Sequence, residues 1–207
     1  MVKYLDELCS GMFSDELDKM GYRNQVVIGM TINNTGKFYG PAKTLQIEEM
    51  DTNDENIQAG LSYLGSLHAG DVLCVKGSKR FAYFGELMTR LSTRQGLSGV
   101  VIDGFTRDSH YTKTASLPVI AQGYSPVDIK GRGRVGDTNI PINLGNCVVT
   151  PGDYIFGDCD GVVVIPAAIR VELETRIQNV LQNERSIIED IRSGKSVDYI
   201  LKTYKEF

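Results

Sequence analysis

Apolar positions recur at helical and strand spacings in blocks along the chain. Residues 5–21 carry a helical pattern in two pieces broken near Gly11, with Ser14 as N-cap for "DELDKMG" and Gly21 as its stop. "QVVIGM" opens a strand-rich region that includes "GPAKTLQI". In "NDENIQAGLSYLGSLHAGD", Leu61, Leu64 and Leu67 fall at helical spacing and Gly70 ends the helix. A short apolar strand "DVLCVKG", a helix from Glu86 to Gln95 and a strand "GVVID" follow. That order, over about thirty residues, predicts a βαβ unit with parallel strands. Residues 118–166 read as short strands with turns: "PVIAQG", "IPINLG", "NCVVTPGDYIFGD" and "GVVVIP". Pro166 and Ala167 then open a long amphipathic helix in which Ile169, Leu173, Ile177, Val180, Leu181, Ile187, Ile188 and Ile191 mostly recur at threes and fours. Gly194 ends it, and a short helix with Val197, Ile200 and Leu201 closes the chain. No repeat, low-complexity stretch or linker interrupts this order. Residues 1–207 therefore read as one α/β domain whose last long helix could bury its stripe at home or dock on a neighbouring subunit.

Composition narrows the functional classes. Of 207 residues, 42% are apolar and 23% charged, the balance of an ordinary globular protein. The net charge of -4 comes without a basic stripe, which argues against general nucleic-acid binding. No apolar run approaches a membrane span, and "MVKYLDELCSG" lacks a signal-peptide core. Cys9, Cys74, Cys147 and Cys159 show no C-x-x-C spacing, so reduced structural thiols in a cytoplasmic protein are expected.

Several motifs invite other readings. "GRGRVG" matches G-x-G-x-x-G, but "DTNIPINLG" follows it with no helical period, so it reads as a glycine-rich loop between strands. "KGSKR" lacks Walker spacing and reads as a solvated turn. His68 lies near a helix C-terminus, and His110 follows Arg107 and Asp108 closely enough to line a site there. Two histidines so far apart do not signal a histidine metal cluster. Asp158, Asp160 and Gly161 in "GDCDGVVVIP" read first as a hairpin turn, with a ligand role for either Asp as the alternative.

Chemistry concentrates in "FGELMTRLSTRQGLSGVVIDGFTRD", where twenty residues separate Glu86 from Arg107. Ligands of parallel βαβ units gather beyond the carboxyl ends of the strands. Gly85 to Met88 form the first turn of the helix, whose backbone N–H groups lack intrahelical partners and suit a small anion. Gly85 permits close approach to that backbone. The strand "GVVID" ends at the same edge, so Glu86, the Leu87 and Met88 amides, Arg107 and Asp108 converge. A surface ion pair of Arg107 with Asp108 is the alternative reading.

These motifs resemble those of the RraA-like family. Gly-Glu, twenty residues and Arg-Asp stand within "GELM" and "GVVIDGFTRD", followed by "PVIAQG" and "PGDYIFGDCDGVVVIP" and preceded by "SDELDKMG" and "GPAKTL". The family includes class II 4-hydroxy-4-methyl-2-oxoglutarate and 4-carboxy-4-hydroxy-2-oxoadipate aldolases, and regulators of ribonuclease activity. The resemblance covers a core of about residues 11–166, with residues 167–207 as a C-terminal helical segment. It implies a β/β/α sandwich resembling a phosphohistidine (swivelling) domain, with N-terminal helices and a long C-terminal helix. It implies homotrimers or homohexamers with sites at subunit interfaces. It further implies that Gly85, Glu86, Leu87, Met88 and Arg107 bind a small 2-oxo acid and that Asp108 holds Mg²⁺ or Mn²⁺. Arg107, Asp108 and Glu86 would be the catalytic set, with Glu184 of an adjacent subunit as a further acid.

The implied activity is a metal-dependent retro-aldol cleavage that releases pyruvate, with oxaloacetate decarboxylation through the same enolate. A hard cation and an arginine both stabilise such an oxyanion. Tyr111 stands where aldolases often carry an acid, and Gln122 replaces a common Arg. A non-catalytic regulator of a ribonuclease is the rival; retained Glu86, Arg107 and Asp108 argue against it, and Tyr111 argues for it. A methyltransferase label also occurs in the family, but no glycine-rich strand-loop-helix for S-adenosylmethionine is present.

Overall fold

The computed structural model describes residues 2–30, 36–51 and 53–204. Its frame is a long strand, β1 (Phe38–Glu49), which changes partners along its length. Phe38 to Pro41 pair antiparallel with β9 (Tyr154–Gly157), and Ala42 to Gln46 pair parallel with β2 (Val72–Lys76). Leu45 to Glu49 pair antiparallel with β6 (Gly133–Thr138) across a register shift. Beyond β2 lies β4 (Gly99–Thr106), parallel to it, and β10 (Val162–Ile165) flanks β9. Strand β5 (Val119–Tyr124) lines one side of β4, so the other side is shared by β2 and then by β3 (Ala82–Phe84). A separate hairpin joins β7 (Ile142–Leu144) to β8 (Cys147–Val149).

Strand alternation sorts the core. Leu73, Val75, Val100 and Ile102 face one way and pack with Leu64 and Leu67 from α2 (Ile57–Ser66) and its exit. Val72, Cys74, Val101 and Ile120 face the other way and meet Ile142, Leu144, Val149, Ile155 and Val164. The sheet therefore curls around that second cluster. The outer face of β9 and β10 shows Phe156, Val163 and Ile165, covered by α1 (Ser10–Lys19) and α5 (Arg170–Arg192). Strands buried on both faces read as unbroken apolar runs, which is why "VLCV" and "VVVI" show no alternation. The mixed α/β sheet and long C-terminal helix match the expected fold class.

Several local expectations are corrected. The first helical block breaks at Leu8 and Cys9, not Gly11; a 3-10 helix (Val2–Glu7) precedes it, and Ser14 lies inside α1. The capping group comes from far away in sequence. Asp158, buried in the β9–β10 turn, accepts the Ser10 amide at 2.7 Å as well as the Asp160 and Gly161 amides at 3.0 and 3.2 Å. Gly21 does stop α1, with φ of 88°. "QVVIGM" is no strand; Val26 makes an isolated bridge to Val163. Helix α2 ends at Ser66, before Gly70. The long helix follows a 3-10 turn (Ala167–Ile169) and ends before Gly194, as its stripe required. Helix α6 (Val197–Thr203) follows.

Asp158→Ala should therefore lower stability by about 2–3 kcal/mol, since it removes a charged acceptor from three backbone donors. Urea unfolding measures this, and a loss under about 0.5 kcal/mol, the size of a neutral surface change, would contradict the capping assignment.

Candidate active site

Strand β3 was not expected from the sequence, yet it aligns the site. Phe84 pairs with Thr106, so the chain leaves β3 and β4 side by side. The Phe84 carbonyl accepts both the Arg107 amide at 3.0 Å and the Thr106 hydroxyl at 2.8 Å. Gly85 and α3 (Glu86–Gln95) follow directly from one strand, and Arg107 and Asp108 from the other. The Gly85 carbonyl accepts the Thr89 amide and hydroxyl at 2.9 and 2.8 Å, which fixes the first turn.

Gly85 is required by its neighbours. Its φ of -159° is ordinary extended backbone, but a Cβ there would collide with the Asp108 carboxylate and stand 2.7 Å from Arg107 Cγ. Into that space Asp108 sends Oδ2, which accepts the Glu86 amide at 2.9 Å. A carboxylate at a helix start is favoured by the dipole and by the unpaired amides of the first turn. Asp108 itself has φ 55° and ψ 48°, a left-handed conformation that Asp and Asn tolerate best after glycine. Helix α4 (Ser109–Thr112) begins from that turn.

Arg107 is held from two sides. Its Nη1 lies 2.8 Å from Asp128 Oδ2, and its Nε lies 3.7 Å from Asp108 Oδ2. The hydrogen bond to Asp128 raises the guanidinium pKa further, against the opposing effect of burial. Burial opposes ionisation of Asp128, but Arg107 and the Lys130 and Ile129 amides outweigh it and hold its pKa below the ordinary value. The stabilisation from this depressed carboxylate is complete above the unfolded value and is lost as pH falls through the lower folded one. Both side chains are partly exposed, so the pair does little for overall stability.

Glu86 meets this corner through its amide, while its carboxylate pairs with Arg90 and His110. Its Oε1 accepts Arg90 Nε at 2.8 Å, and its Oε2 lies 3.5 Å from His110 Nε2. Leu87 is 74% exposed, whereas Met88 packs against the first core cluster. Gln122 donates to Asp103, which also accepts the Gly145 amide at 2.9 Å. Beside the same strand end, Phe105, Gln122, Lys79, Ile28, Gly29, Gly145 and Asn146 line a cavity of about 590 Å³.

Glu86, Arg107, Asp108 and the first turn of α3 thus come together as the sequence suggested. Glu184, expected from an adjacent subunit, lies elsewhere within a single chain. It lies in a groove of about 600 Å³ between α1 and α5, on the β9–β10 side of the sheet, where burial and then Asp15 raise its pKa. Strands β1 and β2 separate β9 from β4. Asp128 was missed, because its loop shows no spacing linked to Arg107. Arg90 was readable, since a Glu and an Arg four residues apart share a helix face. Among the described residues, the cysteines are unbridged and no group of three or more His, Cys, Asp or Glu could hold a metal ion. No described helix is long and apolar enough to cross a membrane.

A curled α/β sheet with an Arg-Asp corner at its parallel strand ends, closed by a long C-terminal helix, defines the structural class. Residues 11–164 match the RraA-like family model, described as Aldolase/RraA, and the chain belongs to that family. It is 32% identical over 174 residues to a Halalkalibacterium halodurans protein named "Putative 4-hydroxy-4-methyl-2-oxoglutarate aldolase", covering 83% of this chain and 76% of that one. It is similar to the crystal structure of an uncharacterized Pseudomonas syringae protein, with a TM-score of 0.83, 28% identity and coverage of 99% and 95%. Streptomyces coelicolor RraAS2, described as an unusual member of the RNase ES inhibitor RraA family, aligns with a TM-score of 0.78, 26% identity and coverage of 94% and 96%.

The collision at residue 85 predicts opposite effects for two glycines. Gly85→Ala should cost about 1–3 kcal/mol, the range for forcing a group into packed surroundings. Gly65→Ala should gain about 0.5–1 kcal/mol, because it lies within α2 and nothing stands within 4 Å of its added Cβ. Denaturant unfolding of both variants compares them, and equal effects would refute the close contact.

Proposed function

We propose that this protein is a lyase that cleaves a 4-hydroxy-2-oxo acid to release pyruvate, with decarboxylation of oxaloacetate as a related activity. The observation that carries the reading is the convergence of Arg107, Asp108 and Glu86 at one helix start, supported by the aldolase name of the Halalkalibacterium halodurans relative. The donor set suits a hard cation such as Mg²⁺ or Mn²⁺ held by the Asp108 carboxylate and completed by water and substrate oxygens. When bound, such an ion supplies Lewis-acid stabilisation of the enolate oxygen.

The chain's own residues supply the remaining functions. Arg107 presents a planar fork to the substrate carboxylate and keto oxygen, while Asp128 keeps it aimed. Glu86 Oε2 receives the 4-hydroxyl proton through water. The C3–C4 bond then breaks, its electron pair enters the pyruvate enolate, and a proton delivered to C3 completes pyruvate. With oxaloacetate, loss of carbon dioxide leaves the same enolate. A non-catalytic ribonuclease regulator is the second reading. It is favoured by the similarity to RraAS2 and by Tyr111, and would show as ribonuclease inhibition without pyruvate release.

A screen for pyruvate release from 4-hydroxy-2-oxo acids and oxaloacetate, with and without Mg²⁺ or Mn²⁺, tests the activity. Asp108→Asn should keep the turn and the fold but lose most of the metal dependence. Arg107→Lys should lower kcat/KM by at least about 100-fold, because a point charge cannot replace a bidentate fork. Near-normal kinetics in both variants would leave the corner as a surface ion pair.

The proposed site also extends to assembly. Leu173, Ile177 and Leu181 bury their stripe on the chain's own α1 and β9–β10 layer and Ile187 is buried as well, but Ile188 and Ile191 are exposed. We expect a trimer or hexamer in which Glu184 of one copy approaches the Arg107 corner of another. Light scattering should show that assembly, and Glu184→Gln should lower kcat without dissociating it. A fully active monomer would exclude a shared site.

A further inference from the structure

Arg90 links two residues whose roles differ. Its Nε and Nη2 each stand 2.8 Å from Glu86 Oε1. Its Cζ lies 4.1 Å from the centroid of the Tyr111 ring, well inside cation–π range. An exposed Glu–Arg pair four residues apart on a helix is weakly ordered, because both side chains are long and hydrated. The Arg90 side chain is 56% exposed, so the ion pair alone would leave Glu86 mobile among rotamers. A flat ring under the planar guanidinium restricts that freedom on one side. The ring itself is keyed to the site, since the Tyr111 amide donates to the Asp108 carbonyl at 2.9 Å in the turn that starts α4. His110, on the same turn, stands 3.5 Å from the other Glu86 oxygen. An acid at position 111 would compete with Glu86 for the Arg90 fork, whereas an aromatic ring shares the cation without taking its hydrogen bonds.

We infer that Tyr111 is a positioning residue, which acts through Arg90 to fix the Glu86 carboxylate beside the Arg107–Asp108 corner. Its kinetic consequence rests on the lyase reading; the positioning itself is a property of the folded chain. The ring is what matters, not the hydroxyl, so Tyr111→Phe should behave as the parent and Tyr111→Leu should not.

The positioning is read by NMR of arginine Nε–H groups, with the Arg90 signal assigned by its loss in Arg90→Lys. A held Nε–H exchanges slowly with water. The signal should persist in Tyr111→Phe and broaden by exchange in Tyr111→Leu. An unchanged signal in a folded Tyr111→Leu protein would overturn the inference. Kinetics then read the consequence. Tyr111→Leu should lower kcat about two- to fivefold, the size of an exposed cation–π contact, with KM unchanged and Tyr111→Phe normal. Arg90→Lys keeps the ring and should lower kcat at least as much. Tyr111→Leu should then add nothing in the Arg90→Lys background, whereas additive losses would show a route that bypasses Arg90 and overturn the proposal. If the NMR change occurs in a protein that releases no pyruvate, positioning is upheld and the lyase reading falls.

Discussion

The Asp108 carboxylate occupies the space that a side chain at position 85 would need, and much of the corner follows from that contact. Residue 85 must be glycine because of what stands beside it, not because of its own dihedral angles. With the space open, one oxygen reaches the Glu86 amide and ties the end of β4 to the start of α3. Asp108 then adopts a left-handed backbone, which turns the chain into α4 and brings His110 and Tyr111 toward the first turn of α3. Arg107 is aimed by the same geometry, between Asp108 and Asp128. A single substitution at position 85 thus reaches Asp108, Arg107 and the start of α3 at Glu86 together.

Two aspartates that follow strands sit in contrasting environments. Asp158 is 1% exposed and accepts three backbone amides, which leaves little capacity for a ligand. It joins the β9–β10 turn to α1. Asp108 accepts one amide, and its side chain is 37% exposed. Its ion pair with Arg107 lies at a distance and exposure where the expected stabilisation is within about 1 kcal/mol. Folding stability alone is therefore a weak reason for placing an Arg-Asp corner at the strand ends. The proposed enolate chemistry is a stronger one, because partial exposure lets both groups meet substrate.

The parts of the fold legible in the sequence were those fixed by local pattern. Helix α3 fell at Glu86–Gln95 because Gly85 and Gly96 bracket it, and the parallel order of β2, α3 and β4 followed from spacing. The Asp-Gly turn after β9 was likewise local. What failed was set by distant partners. Ser14 looked like an N-cap, but Asp158 supplies the cap from another layer, so α1 starts earlier. Strand β3 is too short for a pattern, and exists because β4 extends past the end of β2. "QVVIGM" has strand composition, yet makes only an isolated bridge to β10. At the site, Glu86, Arg107 and Asp108 were legible because strand ends bring them together. Asp128 was not, because its loop reaches Arg107 only through the bridge between Ala82 and Asp128.

One constraint remains on the proposed chemistry. An enolate formed in bulk water is poorly stabilised, since charges act strongly only where water is excluded. The corner is open in a single chain: the Arg107 side chain is one-third exposed, and Leu87, in the first turn of α3, is 74% exposed. Leu91, one turn further along α3, is also exposed, at 41%. Two leucines four residues apart form a short apolar strip on the solvent side of the helix that carries Glu86. A subunit seated on that strip would remove Leu87 from water and roof the corner in one step. Assembly and catalysis would then draw on the same helix: its first turn would bind the substrate, and its outer face would bind the neighbour that keeps water out.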